Sequence, residues 1–200
     1  MNNSTKDRAI YYFRLGDQYC EVANILLHTL IDNGNSNTGF GITDEEAITN
    51  AITIAHKSDL FLFIPALFNI LQSTELFTKG LLLLNNIEID GTHEIQQLLD
   101  KFPNKYVKSN IYQSLRNIYF SQESILKEYR NKNHINNAYD LYESLRYPES
   151  KSGKKYEYHY LLCNGNNGIK LFTTLYNQIS EIKFFSLKEY HRILNENGAV

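Results

Sequence analysis

Residues 130–134 read RNKNH, which places Arg130 and His134 four positions apart. An arginine neutralises phosphate well, and a histidine transfers protons near neutral pH. On a continuous helix, side chains four residues apart lie on the same face. The segment is therefore a candidate site for chemistry on RNA, and the alternative is an ordinary join between two helices.

A second candidate lies just downstream, in a basic stretch with interleaved tyrosines. Its candidate binding residues are Arg146, Tyr147, Lys151, Lys154 and Lys155. Lysine and arginine contacts to phosphate, combined with aromatic stacking on bases, suit single-stranded RNA. A solvated loop whose tyrosines cover the end of a bundle would have the same composition, so both interpretations stay open.

Two charged residues lie inside the most hydrophobic segment of the chain. Glu75 and Lys79 are four residues apart, in the order that favours an ion pair on a helix. Burying either charge alone is costly. We expect a structural pair that joins helices, with the edge of a functional cleft as the alternative.

Other enzyme signatures are absent from the sequence. It contains no GxxxxGK[ST], GxGxxG, HExxH or GxSxG motif, and its His, Asp and Glu residues lack the spacing of metal ligands. His93 follows Thr92 at the predicted start of a helix, where a protonated imidazole is disfavoured, so a neutral hydrogen-bonding residue is expected there. The sequence therefore predicts neither a metal site nor a cofactor.

The elements that would position these residues are helical almost throughout. Flanking helices are predicted over 6–33 and 169–195, with a core of about 60–150 in one domain of 200 residues. The first helix is expected to bury the residues that recur at three- and four-residue steps: Tyr12, Leu15, Tyr19, Val22, Leu26 and Leu30.

Four shorter predictions complete the organisation of the chain. A capping box at Thr43–Glu46 starts a short helix, and Pro65 is expected in the first turn of the central helix. One long helix is predicted over 111–129, followed by a break before His134, and residues 154–162 are predicted to form a short strand or extended arm. The fold class is all-α, built on a four-helix core.

Charge is distributed unevenly along the chain. Residues 1–100 contain five Lys/Arg against thirteen Asp/Glu, whereas residues 101–200 contain fifteen against nine. An anionic partner would dock on the second half if the halves form different faces; the equal alternative is that the halves pack together and complement each other. The two cysteines, Cys20 and Cys163, are expected in the core of a cytoplasmic protein that has no membrane span.

Two segments carry a resemblance to a known family. PALFNILQSTELFTKGLLLLNNIEIDGTHEIQQLL (65–99) resembles the central part of HEPN domains, with Glu75, Lys79 and the His93-Glu94-Ile95 run in the corresponding places. LYESLRYPES (141–150) resembles the family's R-Y-P segment. The resemblance implies an up-and-down four-helix bundle, frequently a homodimer, with additional helices at both termini of this chain.

The resemblance also implies a choice of functions. Many HEPN proteins are metal-independent ribonucleases with an arginine, a polar residue and then a histidine after four to six intervening positions. Here Arg130 would bind phosphate, Asn131 would orient and His134 would act as acid or base, but only three positions intervene. A non-catalytic module that binds nucleotide or RNA is therefore preferred to an active endoribonuclease, and a purely structural interaction bundle is the third alternative.

Biological context follows from the same resemblance. A HEPN-like chain would act in a toxin–antitoxin, phage-defence or RNA-processing system. Its expected partners are RNA or nucleotide, an antitoxin or a nucleotidyltransferase-like protein, and a second copy of itself.

Overall fold

The computed structural model describes residues 3–35, 56–91, 93–107, 109–119, 124–163 and 165–198. Within these ranges the regular structure is helical, apart from an isolated antiparallel bridge between Glu149 and Lys155. The predicted all-α class is therefore confirmed. The predicted capping box at Thr43–Glu46, and Thr92 at the predicted start of a later helix, lie outside the described residues.

The described residues form three long helices and several shorter ones. In chain order, the helices are α1 (Asn3–Asp32), α2 (Asp59–Leu84), α3 (Ile95–Asp100), α4 (Asn104–Val107), α5 (Asn110–Tyr119), α6 (Ser124–Asn133), α7 (Ala138–Ser144), a 3-10 helix (Tyr158–Leu161) and α8 (Gly165–Gly198). The long helix predicted over 111–129 corresponds to α5 and the first part of α6, and residues 120–123 between them are not described.

The longest helices form an up-and-down bundle around α2. The start of α2 meets the end of α1 through Asn35 and Asp59, and the middle of α2 meets the middle of α1 through Ser73 and Gly16, so these helices are antiparallel. Helix α8 packs on both α1 and α2, and α5 packs on α2 and α8. The terminal helices are thus integral to the bundle core.

Helices α1 and α2 approach closely because two glycines lie in their contact. A Cβ on Gly16 would lie 3.2 Å from the Phe77 ring, and a Cβ on Gly80 would lie 2.9 Å from the Phe13 ring. The Ser73 hydroxyl donates a 2.8 Å hydrogen bond to the Gly16 carbonyl. Small residues at these positions let the two backbones come together.

The face of α1 that packs on α2 differs from the predicted one. The buried residues are Ala9, Phe13, Cys20, Ala23, Leu27 and Leu30, whereas Leu15 and Val22 are exposed. The prediction was wrong for Leu15 and Val22, because α1 has apolar residues on opposite sides, whereas Leu30 is buried and Tyr12 and Leu26 pack against the core. A close helix contact selects small side chains, and the spacing of large apolar residues does not reveal these.

Pro65 lies inside α2 and not in its first turn, because the helix begins six residues earlier, at Asp59. Proline has no N–H to donate to the carbonyl of Phe61, four residues before it. Phe61 and Pro65 are both exposed, so water can reach that carbonyl. Exposure of this turn allows the helix to continue through the proline.

A buried polar cluster ties together the ends of three helices. Asn35 donates from Nδ2 to the Asp59 carboxylate and to the Cys163 carbonyl, and accepts from the Asp59 amide at 2.9 Å. The Cys163 amide donates to the same carboxylate. These bonds fix the end of α1, the start of α2 and the approach to α8.

One helix in the described ranges, over Phe61–Leu84, is long and apolar enough to cross a membrane by length and composition. In the structure, 61% of its most apolar window is buried against the rest of the protein. This segment is the central helix of the bundle, in contact with α1, α5 and α8.

Candidate RNA-binding surface

Helix α6 ends one residue before His134, in a Schellman motif. The Ile135 amide donates to the Arg130 carbonyl at 2.8 Å, and the His134 amide donates to the Asn131 carbonyl at 3.3 Å. His134 has φ of 54°, in the left-handed region that glycine usually occupies at this position. The predicted helix end before His134 is confirmed, so Arg130 and His134 do not share a continuous helical face.

The same cap recurs at two other helix ends, with residues better suited to it. Gly34 after α1 and Asn86 after α2 have φ of 64° and 58°. The amides of Asn35 and Ile87 close the corresponding bonds at 3.1 and 3.0 Å. Histidine is one of the few larger residues tolerated in this conformation. Helix termination is thus one physical explanation for a polar residue at position 134.

The three residues of the candidate nuclease site differ in accessibility. Asn131 and His134 are exposed, whereas Arg130 is half-buried and its Nη1 atom is shielded from solvent. Burial lowers the pKa of the Arg130 guanidinium. The Nη1 atom of Arg130 is therefore not accessible to a phosphate in this conformation of the side chain.

Asn133 has a structural function that its position in the sequence did not predict. Its side chain is 3% exposed and donates to the Tyr129 carbonyl at 3.0 Å. Its Oδ1 accepts from the Glu157 amide at 2.7 Å, and its own carbonyl accepts from Lys154 Nζ at 3.0 Å. The sequence contained one indication of this function: the helical spacing of the apolar residues before it places position 133 in the core, and an asparagine occupies that position.

These bonds hold a basic turn against the C-terminal end of α6. Residues 148–156 fold back on themselves, with the Tyr156 amide bonded to the Pro148 carbonyl at 3.0 Å and the Ser150 amide to the Lys154 carbonyl at 2.8 Å. A lysine at a helix C-terminus also interacts favourably with the helix dipole. The structure thus brings Lys154 next to the RNKNH segment, although the two were separate candidates in the sequence.

The segment that follows the turn is not a strand. The strand or extended arm predicted over 154–162 is wrong for its second half, because Tyr158–Leu161 form a 3-10 helix. The Tyr158 hydroxyl makes 2.7 Å hydrogen bonds to the carbonyls of Ser144 and Tyr147. Tyr158 is therefore anchored to the end of α7 and is not paired in a sheet.

Several cations of this region lie over tyrosine rings. The Arg146 guanidinium lies 5.2 Å from the ring centre of Tyr142 and 5.1 Å from that of Tyr147. Two lysines make similar contacts, Lys132 with Tyr160 at 5.5 Å and Lys151 with Tyr139 at 5.7 Å. Such contacts keep the charges in solvent while holding them beside aromatic faces.

We call this region the basic-aromatic surface. It comprises Lys132, Tyr139, Arg146, Tyr147, Lys151, Lys154, Lys155 and Tyr160. Every member is at least partly exposed, and carboxylates of Asp140, Glu143, Glu149 and Glu157 lie in the same segments. Its positive charge is therefore modest.

Glu75 and Lys79 form a buried ion pair within α2. Lys79 Nζ lies 2.7 Å from Glu75 Oε1, and the two side chains are 6% and 2% exposed, respectively. His93 Nδ1 lies 2.9 Å from the same oxygen and is more than half exposed. The ion pair lies within one helix and does not itself join two helices as expected, whereas the His93 ring joins α2 to the segment before α3.

Two grooves are also present among the described residues. The larger, about 310 Å³, lies between α1 and α8, and the smaller, about 70 Å³, lies where α1 meets the end of α2. Neither is lined by a candidate site residue. The described ranges contain no group of three or more His, Cys, Asp or Glu side chains placed to hold a metal ion.

Comparison with known proteins identifies the family. The model of the HEPN domain matches residues 62–165, which cover α2 to the start of α8 and include every candidate site residue. No curated protein and no solved structure matches the chain significantly. The match spans more than half of the sequence and includes both segments that resemble the family. The chain belongs to the HEPN domain family.

Proposed function

We propose that this HEPN-domain protein binds RNA or nucleotide through the basic-aromatic surface. The observation that carries the proposal is the placement of arginine and lysine side chains over tyrosine rings on a turn that is bonded to the end of α6. Nucleotide-related binding agrees with membership of the family.

The chemistry of this surface suits a flexible single strand. Lys151, Lys154 and Lys155 supply charge for phosphates, and the exposed rings of Tyr139 and Tyr147 supply faces for bases. Stacking of one base on an aromatic ring contributes about 1–3 kcal/mol and is tolerant of sequence. Because the turn is fixed by Asn133, little ordering of the backbone is needed on binding.

Binding of fluorescent oligonucleotides at several salt concentrations tests the proposal. Affinity for single-stranded RNA should fall steeply with salt, and each lost phosphate contact should reduce the slope of log K against log salt by about 0.7. Arg146→Ala combined with Lys154→Ala should weaken binding. Lys188→Ala should not, because Lys188 is exposed on α8, outside the basic-aromatic surface. Undetectable or salt-independent binding would overturn the proposal.

A metal-independent endoribonuclease is the second candidate. Its support is the presence of Arg130, Asn131 and His134 within one turn at the end of α6. His134 would move a proton to or from the attacking 2′-hydroxyl, and Arg130 would neutralise the phosphate once its side chain turned outward. The expected product carries a 2′,3′-cyclic phosphate and forms in the presence of a chelator.

The matched variant for this test is His134→Asn. Asparagine occupies the equivalent left-handed position at Asn86, so the substitution removes the imidazole while preserving the cap. Expression of wild type should slow growth and cleave RNA, and His134→Asn should abolish both, with exposed His191→Asn as the control. Equal growth and equally intact RNA in all three strains would remove the nuclease candidate.

The biological system in which the protein acts is part of the same proposal. A cytoplasmic toxin–antitoxin, phage-defence or RNA-processing system, with an antitoxin or nucleotidyltransferase-like partner, would suit a HEPN protein of this kind. Co-purification of an encoded neighbour with the tagged chain tests it. A stable partner without any RNA binding would instead favour a purely structural interaction bundle.

A further inference from the structure

Arg146 is the one arginine of the basic-aromatic surface, and its side chain lies beside two tyrosine rings. The guanidinium carbon is 5.2 Å from the ring centre of Tyr142 and 5.1 Å from that of Tyr147. Within the described residues, no side chain or carbonyl forms an ion pair or a hydrogen bond with this guanidinium. The side chain is exposed, so its N–H donors are available to a ligand.

Both tyrosines are anchored to other parts of the protein. The Tyr142 hydroxyl donates a 2.7 Å hydrogen bond to Gln72 Oε1, and the Tyr142 ring stacks on the Phe68 ring with the ring centres 5.6 Å apart. The Tyr147 carbonyl accepts a 2.7 Å hydrogen bond from the Tyr158 hydroxyl. The two tyrosines therefore restrict the guanidinium before any ligand binds, which lowers the entropic cost of binding.

An arginine and a lysine recognise different groups on a nucleic acid. The guanidinium donates two parallel hydrogen bonds to a pair of acceptors in one plane, whereas an ammonium acts as a point charge. Lys151, Lys154 and Lys155 already supply point charges for phosphates. Arg146 lies beside the Tyr147 ring, which is 47% exposed and offers a face on which a base can stack. A base stacked there presents its edge to the guanidinium.

We propose that Arg146 makes the basic-aromatic surface selective for guanine, an inference that rests on the proposed binding of RNA. Guanine presents two acceptors, O6 and N7, on one edge. Adenine presents a donor beside N7, cytosine presents a donor, and uracil has a single carbonyl at the corresponding edge. Guanine is therefore the RNA base that matches two parallel N–H donors, and the ligand is a single strand that contains an unpaired guanine.

Fluorescence anisotropy with oligouridylates that differ at one central base tests the proposal. Guanine at this position should strengthen binding about fivefold or more over adenine. Inosine keeps O6 and N7 and should bind as guanine does, whereas 7-deazaguanine lacks the N7 acceptor and should lose the gain. Equal affinity for the guanine and adenine strands would reject the selectivity while leaving RNA binding intact. Undetectable binding of every strand would reject RNA binding as well.

Arg146→Lys separates recognition of the base from charge. The variant keeps the positive charge and loses the paired donors, so it should bind all the strands with the affinity of wild type for plain oligouridylate. Arg116→Lys is the matched control, because Arg116 is exposed on α5, outside the basic-aromatic surface, and this variant should keep the preference for guanine. A preference that survives Arg146→Lys would overturn the assignment. An equal loss of affinity for all strands would also overturn it, because Arg146 would then be a phosphate contact.

Discussion

At the scale of single residues, Asn133 positions the basic turn. Its side-chain amide is buried and bonded on one side to α6 and on the other to the amide of Glu157. A hydrophobic replacement cannot make either bond. The position of Lys154 beside the RNKNH segment therefore depends on one asparagine that has no part in the candidate chemistry.

Asn133→Ala should destabilise the protein by about 1–3 kcal/mol, because it removes the acceptor of the Glu157 amide from a partly buried hydrogen bond. Urea denaturation followed by circular dichroism measures this change. Asn136→Ala, on an exposed residue three positions away, should shift the free energy of unfolding by no more than about 0.5 kcal/mol. Equal effects of the two substitutions would contradict the assigned function.

The Glu75–Lys79 pair gives a second prediction at this scale. Glu75→Met should cost about 3–5 kcal/mol, because the charge of Lys79 is then buried without its partner, and Lys79→Met should cost less, because Glu75 keeps its contact with His93. The double variant should recover most of this loss. A double-mutant cycle of unfolding free energies checks the coupling, and additive losses would show that the two charges do not depend on each other.

At the scale of elements, the contact between α1 and α2 depends on the glycines. Gly80→Leu should destabilise the bundle by about 1–3 kcal/mol, since its side chain must displace the Phe13 ring. Gly91→Leu is the control, because a Cβ there meets nothing within 4 Å. Thermal unfolding measures both, and a Gly80→Leu variant as stable as wild type would show that the helices separate easily.

The elements also show what periodicity in a sequence can predict. In α8 the large apolar residues Phe172, Leu175, Ile179 and Ile182 recur at helical spacing, and all four are buried. In α1 the same reasoning selected Leu15 and Val22, which are exposed, because hydrophobicity does not distinguish a core face from a second apolar face.

For the candidate site, the sequence predicts local features but does not predict contacts between residues that are distant in the chain. The RNKNH and RYP segments could be located from residue types alone. The bond between Asn133 and Glu157 joins residues 24 positions apart, and no spacing rule predicts it. The 3-10 helix after the basic turn was missed for a similar reason, since the Tyr158 hydroxyl is bonded to the carbonyls of Ser144 in α7 and of Tyr147 beyond it.

At the scale of the whole molecule, the core holds acidic groups that must stay neutral. Burial raises the pKa of both thiols, Cys20 and Cys163, to about 12. Burial also raises the pKa of the Tyr119 and Tyr129 hydroxyls. The pKa of such a group is higher in the folded protein than in the unfolded protein. Its contribution to stability is fully present below the unfolded-state pKa and is lost as the pH rises toward the folded-state pKa.

The protein should therefore lose stability above pH 9. From the shift in pKa, each thiol should cost about 2 kcal/mol at pH 10.5. Urea midpoints between pH 7 and pH 10.5 measure this loss, and the variant with Cys20→Ala and Cys163→Ala should show a shallower decline. A midpoint that stays constant over this range would contradict the burial of these groups.

The left-handed backbone at His134 affects which residue types selection would favour at this position. Glycine or asparagine would satisfy the cap of α6 with less strain, so selection for thermal stability alone should replace the histidine. Selection for cleavage of RNA would retain it. Under the proposed nuclease function, stability and activity would select different residues at position 134, and the histidine frequency in a randomised library tests that function.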